Sequence, residues 1–219
     1  MKLMAWAMVG CAFGLAACQS KTLTANQPQF LTQKIYHAPA QAYDFDLGSP
    51  LLRGELNLKQ TCSVKGSSLD IIDQVQQQVR IDTINLLNHP ELGQYAQSNL
   101  KTLAPLVLQL YQNQYQAQMQ HSKIYSKDAG DVVIARLQAS NQPVDVMILK
   151  SYNYAYVIQL NTPLKAQNEE IARQRMMTLL ESLQIPGKPK GDASTLPISF
   201  DLSNSDAKAR LTWQKTYCS

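Results

Sequence analysis

The side chains able to do chemistry in this sequence are few and scattered. There are four cysteines, Cys11, Cys18, Cys62 and Cys218, and three histidines, His37, His89 and His121. The histidines fall far apart along the chain, so metal ligation or imidazole-based proton transfer would need the fold to gather them. His37 lies in or near an N-terminal polar segment. His89 closes a predicted helix, where a cation complements the dipole, and His121 marks a helix-to-strand junction. All three are read as structural positions. Asp44 and Asp46 alternate along a predicted strand and share one side of it, as paired carboxylates must for acid–base work; a solvent-facing strand explains them as well. Glu169 and Glu170 open a predicted helix, where negative charge suits the dipole. Tyr152, Tyr154 and Tyr156 alternate, so that one strand would present all three on one face, continued by Ile158 and Leu160. Such a face is either core packing or an aromatic platform for a glycan, a peptide or a lipid. Tyr111 and Tyr115, one helical turn apart, extend the platform or join the core. No Gly-x-Ser-x-Gly, His-Glu-x-x-His, Walker or Gly-x-Gly-x-x-Gly motif occurs, and no Cys-x-x-Cys. The sequence therefore nominates no catalytic, cofactor-binding or metal-ligating residue.

The cysteines separate once the N-terminus is read. Met1-Lys2 is followed by an uncharged run from Leu3 to Ala17 of about 15 residues, short for a ~30 Å hydrocarbon core and ending in small side chains. Residues 1–17 are expected to be a secretory signal peptide. Leu15-Ala16-Ala17-Cys18 resembles the lipobox of bacterial lipoproteins. That resemblance implies a diacylglycerol on the Cys18 sulfur, cleavage before Cys18, and acylation of the new amino terminus, since stable anchoring needs more than one chain. Gln19 stands where lipoproteins retained at the inner membrane of Gram-negative bacteria typically carry Asp, so the resemblance implies the outer membrane and its periplasmic face. Cys11 leaves with the signal. In an oxidising periplasm, Cys62 and Cys218 are then expected to form a disulfide, the alternative being two buried thiols. No second apolar run reaches the ~18 residues of a membrane span.

The elements that must position these residues follow from periodicity. Residues 18–41 read as the lipidated cysteine and a flexible polar tether, and residues 42–219 as one globular domain. Strands are expected at Tyr43–Leu47 and Leu56–Cys62. Gly66-Ser67-Ser68 breaks the chain, and a helix is expected from Leu69 to Asn88, with Ile72, Val75, Val79 and Leu86 on its stripe. A second helix is expected from Leu92 to Gln118, kinked at Pro105. A meander follows, Ser122–Ser126, Val132–Ala139, Val144–Leu149 and Tyr152–Leu160, its separators carrying turn chemistry. A third helix is expected over Lys165–Gln184, ended by Pro186-Gly187. The chain closes on an expected hairpin, Leu196–Leu202 with Ala209–Cys218. The sum is an α+β domain: an antiparallel sheet, a meander of about four strands plus N- and C-terminal strands, with helices packed against it.

From the meander onward, Tyr154-Ala155-Tyr156-Val157-Ile158-Gln159-Leu160-Asn161-Thr162-Pro163 and the helix ending Leu179-Leu180-Glu181-Ser182-Leu183 resemble the last strand and helix of the PsbP/DcrB-like proteins. The resemblance implies a fold and no site. With 20 Lys+Arg, 16 Asp+Glu and a net charge of +4 in 219 residues, the chain has too little bias to suggest nucleic acid. Signal cleavage removes Lys2 and lowers that charge further. The expected partners are the membrane, through the lipid anchor, and an envelope protein or cell-wall component. The leading expectation is a non-enzymatic binding or assembly module. The alternatives are a small-ligand or lipid-binding module with a pocket between sheet and helices, and an enzyme with a non-standard site.

Overall fold

Strands that alternate buried and open positions, and strands buried on both faces, build most of the molecule. The structure, a computed structural model, describes residues 31–32, 34–127, 130–139, 142–161, 168–192 and 207–218. In chain order the elements are β1 (Leu31–Thr32), β2 (Ile35–His37), β3 (Asp44–Asp46), β4 (Asn57–Ser63), β5 (Gly66–Ile72), β6 (Gln78–Asn85), α1 (Leu100–Tyr115), β7 (Gln118–Lys127), β8 (Gly130–Gln138), β9 (Pro143–Ser151), β10 (Tyr154–Asn161), α2 (Glu169–Glu181), β11 (Leu183–Gln184) and α3 (Ala207–Tyr217). Seven strands form one antiparallel sheet in the order β4-β5-β6-β10-β9-β8-β7, and four short ones form a second, β1-β2-β3-β11. The expected α+β class with an antiparallel sheet and packed helices is what the chain adopts.

The large sheet has two differently furnished faces. On one, Leu69, Ile71, Val79, Ile81, Met147, Tyr156 and Ile158 meet Met176 and Leu179 of α2 and Tyr36, Tyr43 and Phe45 of the small sheet. On the other, Val133, Ala135, Leu137, Val146, Ile148, Ala155 and Val157 meet Leu103, Val107 and Tyr111 of α1. Each large apolar side chain so buried is worth roughly 1.5–3 kcal/mol. One helix of 16 residues does not span seven strands, so the second face stays bare of apolar cover over β4, β5 and β6. The sequence matches this: the burial of β5 and of the first half of β6 alternates, with Ser68, Asp70 and Arg80 on the uncovered side.

Four expectations are corrected. The helix over Leu69–Asn88 is the hairpin β5–β6, with Leu69 paired to Ile81 and Ile71 to Val79. Its turn contains neither Gly nor Pro. Asp73 makes it instead, Oδ1 accepting from the amides of Val75 and Gln77 at 3.0 and 2.9 Å, while Gln76 takes φ 61. The second helix is shorter than expected. Asn99 caps it by accepting from the Thr102 amide at 3.0 Å, it runs through Pro105, whose ring is exposed, and Gln118 already belongs to β7. The second arm of the expected C-terminal hairpin is helical (α3); its first arm, residues 196–202, lies outside the described residues. In α3, Thr212 and Thr216 turn their hydroxyls back to the carbonyls of Lys208 and Thr212, both at 2.9 Å, and Trp213 stacks on Tyr217 one turn away. Finally, residues 34–41 are folded rather than tether. β2 pairs with β3, Tyr36 opposite Phe45, and Tyr36 is 3% exposed. The meander appears as expected, β7 to β10 pairing in sequence. The third helix is confirmed over Glu169–Glu181, and Leu183-Gln184 leaves it to pair with β3. Residues 1–30, with the expected signal, Cys11 and Cys18, lie outside the described residues.

Candidate functional site

The β2–β3 hairpin sets the first wall of the site. His37 stands opposite Asp44, and their side chains meet, Nδ1 to Oδ1, at 2.8 Å. The loop between them is closed by the Ala38 amide donating to the Tyr43 carbonyl at 2.9 Å. Within it Ala40 and Gln41 adopt φ 58 and 53. A left-handed L-residue costs roughly 1–2 kcal/mol, so two in succession mark a loop held by its surroundings. What holds it is Tyr43, 1% exposed, which meets the Tyr156 ring edge-on at 6.4 Å. The Tyr156 hydroxyl donates to the Ala42 carbonyl at 3.0 Å. Burial pushes the Tyr43 phenol well above its ordinary pKa, with neighbouring Tyr36 adding to it.

Residues 184–190, leaving β11, form the second wall, and the end of α3 the third. α3 is seated by Trp213, which is buried, and by Tyr217, whose ring lies 5.0 Å from that of Trp213. Gly191 makes room for it: at φ +78, an added Cβ would come 2.8 Å from the Tyr217 ring. Beyond Tyr217, Cys218 and Cys62 lie at bonding distance with Cα atoms 5.6 Å apart, inside the span a disulfide requires; a bridge is therefore possible there. The Gln214 amide also donates to the Cys62 carbonyl at 3.4 Å. The three walls enclose about 700 Å3, lined among others by His37, Gln41, Tyr43, Asp44, Lys190 and Tyr217. That volume falls in the range of ligand pockets, ~300–1,000 Å3. The polar edges carry both signs of charge, and the rest is aromatic, proline and alanine surface.

A second concavity of about 510 Å3 lies on the bare half of the sheet beside α1. It is lined by Ser68, Arg80, Asp82 and Thr83 of the sheet and by Tyr111 and Gln114 of α1. Arg80 donates to Asp82 at 2.9 Å, to Asp70 at 3.3 Å and to Ser68 at 3.1 Å. Asp82, 6% exposed, also accepts from Tyr111 at 2.7 Å and from Gln159 at 2.6 Å. Burial works against the Arg80 cation, but the carboxylates of Asp82 and Asp70 hold its pKa above the ordinary value. Burial, then Asp82, raises the Tyr111 phenol. This network satisfies itself: each charge has its partner inside it. It braces α1 against the sheet.

Of the residues singled out by sequence, His37 and Asp44 come together at the cavity. Asp46 turns instead to the Gly48 amide, accepting at 2.7 Å. His89 accepts from the amides of Glu91 and Leu92, both at 3.3 Å, and burial lowers its pKa. His121 lies 4.0 Å from Glu169, and Glu169 with Glu170 occupies the first turn of α2. The tyrosine platform is corrected: Tyr154 and Tyr156 are 2% and 0% exposed, inside the core. Tyr152 leaves the strand for the β9–β10 turn with φ 48. Tyr111 is core as well, and Tyr115 donates to Gln159. Sequence reasoning missed Gln41, Lys190 and Tyr217 as cavity residues because nothing local joins three segments so far apart. Asp82 and Arg80 were hidden inside the misassigned helix.

No family model matches this chain, and no curated protein matches it. Among solved structures it is similar to the solution structure of cyanobacterial PsbP (CyanoP) from Synechocystis sp. PCC 6803, with 7% sequence identity and a TM-score of 0.42 over 79% of this chain and 96% of that chain. At that level neither a site nor a function passes between them.

Proposed function

We propose that this protein is an envelope lipoprotein, anchored through Cys18 at the periplasmic face of the outer membrane, that binds a ligand in the cavity between the small sheet and α3. The carrying observation is the cavity itself: three distant segments converge on about 700 Å3, and one of them holds two consecutive left-handed residues, Ala40 and Gln41. Strain of that kind is kept where geometry serves a site. Leu15-Ala16-Ala17-Cys18 supports the anchor. From Cys18 to β1 the chain is about 13 residues, which reach at most ~45 Å when extended, so the cavity would work close to the membrane. A pocket ligand is favoured over a flat protein contact because the exposed large apolar side chains among the described residues, Ile35, Val75, Leu87, Met119, Ile124, Tyr152, Ile171 and Leu211, stand on separate elements and turns, apart from Met119 and Ile124 of β7. Apolar residues scattered in this way are ordinary surface.

Two measurements test the reading. Labelled palmitate should enter the wild-type protein and not Cys18→Ser, and globomycin should block processing; an unlabelled wild type refutes the anchor. A photo-crosslinking residue placed at Gln41 should yield adducts in intact cells that the same residue placed at Asp46 does not. Equal adducts at both positions, or none at either, refute the cavity as the ligand site.

A further inference from the structure

We infer that the ligand of this cavity is a neutral saccharide, an inference that rests on the cavity being the binding site. The argument is one of matching chemistry. The edges carry a carboxylate, Asp44, an imidazole bonded to it, His37, an ammonium, Lys190, and the amides of Gln41 and Gln184. An anion would meet Asp44 and a cation would meet Lys190, each like-charged contact opposing the other's attraction. An acyl chain would have to strip water from all of these groups and return no hydrogen bond, at a cost of roughly 1–3 kcal/mol for each group left unpaired. A ligand whose groups both donate and accept satisfies every one of them: hydroxyls donate to Asp44 and accept from Lys190 and the amides. The remaining surface suits the other side of a sugar ring. The half-buried Tyr217 and Pro186 rings line the same cavity, offering apolar surface to C–H groups, and Tyr combines such area with a hydroxyl. The volume of about 700 Å3 is that of a pocket for a short oligosaccharide rather than a single small ion.

The test is amide-resolved NMR titration of the full folded domain with chitotriose and maltotriose, and separately with a lysophospholipid and a neutral tripeptide. Saturable shifts are expected from a saccharide at residues 37–44 and 184–190. Tyr217→Ala should weaken that affinity about threefold to tenfold through the lost ring face, and Asp44→Asn about tenfold or more through the lost charged acceptor. His89→Gln, on the opposite side of the sheet, should leave it unchanged and serves as the folding control. Shifts caused only by the lysophospholipid or the tripeptide would keep the cavity as a ligand site and overturn the saccharide. An absence of saccharide shifts at saturating millimolar concentration would overturn it as well. Shifts that survive both cavity variants would do the same.

Discussion

Breaking the Cys62–Cys218 link should loosen α3 before it loosens anything else. The two cysteines are 156 residues apart, and closing a loop of that size removes up to about 5 kcal/mol of entropy from the unfolded chain. That figure is an upper bound on the global loss. It is reached only if α3 stays seated without the bridge, and the structure argues against this. α3 has 11 residues, too short to persist alone in water, and only Trp213 is buried along it. Freed of the link, the helix should leave, the folded state should gain chain entropy, and the net loss should fall to between about 2 and 5 kcal/mol. Urea denaturation of the oxidised protein, the reduced protein and the Cys62→Ser/Cys218→Ser variant measures the loss. Limited proteolysis should then show new cleavage after Lys208, Arg210 or Lys215, with β5, β6, β9 and β10 still protected. A loss below about 1 kcal/mol with an unchanged cleavage pattern would refute both the bridge and the view of α3 as a latched wall. Because Tyr217 lines the cavity, the same treatment should abolish ligand binding while the sheet remains folded.

Other outcomes follow from single contacts. Arg136 and Asp145, 7% and 8% exposed, form a two-point ion pair at 2.7 and 3.0 Å; Asp145→Asn should cost about 3–5 kcal/mol in urea melts, and adding Arg136→Met should restore most of it. Burial depresses the pKa of His89, so its contribution to stability is full above the unfolded value of roughly 6.5 and is lost as pH falls through that value toward the folded one; an NMR titration placing His89 at or above 6.5 would contradict this. Tyr156→Ala should cost about 3–5 kcal/mol as a core truncation, whereas Tyr152→Ala should change stability by no more than about 0.5 kcal/mol. Gln41→Gly should raise stability by about 1 kcal/mol, the relief of a left-handed side chain less the added freedom of glycine in the unfolded state; a drop in melting temperature would remove the claim of strain in that loop.

What sequence made legible was local. The meander from β7 to β10 could be read because β8, β9 and β10 are short apolar runs and each turn carries its own polar residues. Helix α2 could be read, with Glu169 and Glu170 suiting a helix N-terminus, although its start was placed at Lys165 rather than behind the Asn168 cap. The failures share one cause. Between Leu69 and Asn85, apolar residues fall at spacings compatible with both periods. The deciding turn at Asp73–Gln77 is made by an Asp side chain and a left-handed glutamine, with no Gly or Pro to announce it. At the C-terminus, Leu211, Trp213 and Tyr217 fall at odd positions like one face of a strand, but Ala207, Lys208, Ala209 and Arg210 before them and Gln214 and Lys215 between them favour a helix, and Trp213 against Tyr217 is the i to i+4 contact of one. Strand β2 was taken for tether because it is short and lies in a polar segment; only the packing of Tyr36 on Tyr43, and of Tyr43 on Tyr156 more than a hundred residues on, shows why Tyr36 is buried. The tyrosine pattern itself was correctly read as a face, and nothing in the sequence said which way the face turned.

That distribution of signal bears on how the site is built. The large sheet is made of neighbours in sequence, and its stability is carried by side chains on its own strands, by α1 and by α2. The cavity is made by the chain's two ends, residues 37–44 on one side and α3 on the other, meeting against residues 184–190. Neither end has a core of its own, so each is held by a few fixed points: Tyr43 against Tyr156, Gly191 under Tyr217, Cys218 beside Cys62. A fold arranged in this way separates its tasks. Substitutions at Gln41, Lys190 or Tyr217 should alter what is bound at small cost to the sheet, while substitutions at Asp82 should damage the sheet and reach the cavity only through it. The N-terminal arm joins the two tasks, since the segment that leads from the proposed anchor is also the first wall of the pocket. Orientation at the membrane and access to the ligand would then be set by the same residues.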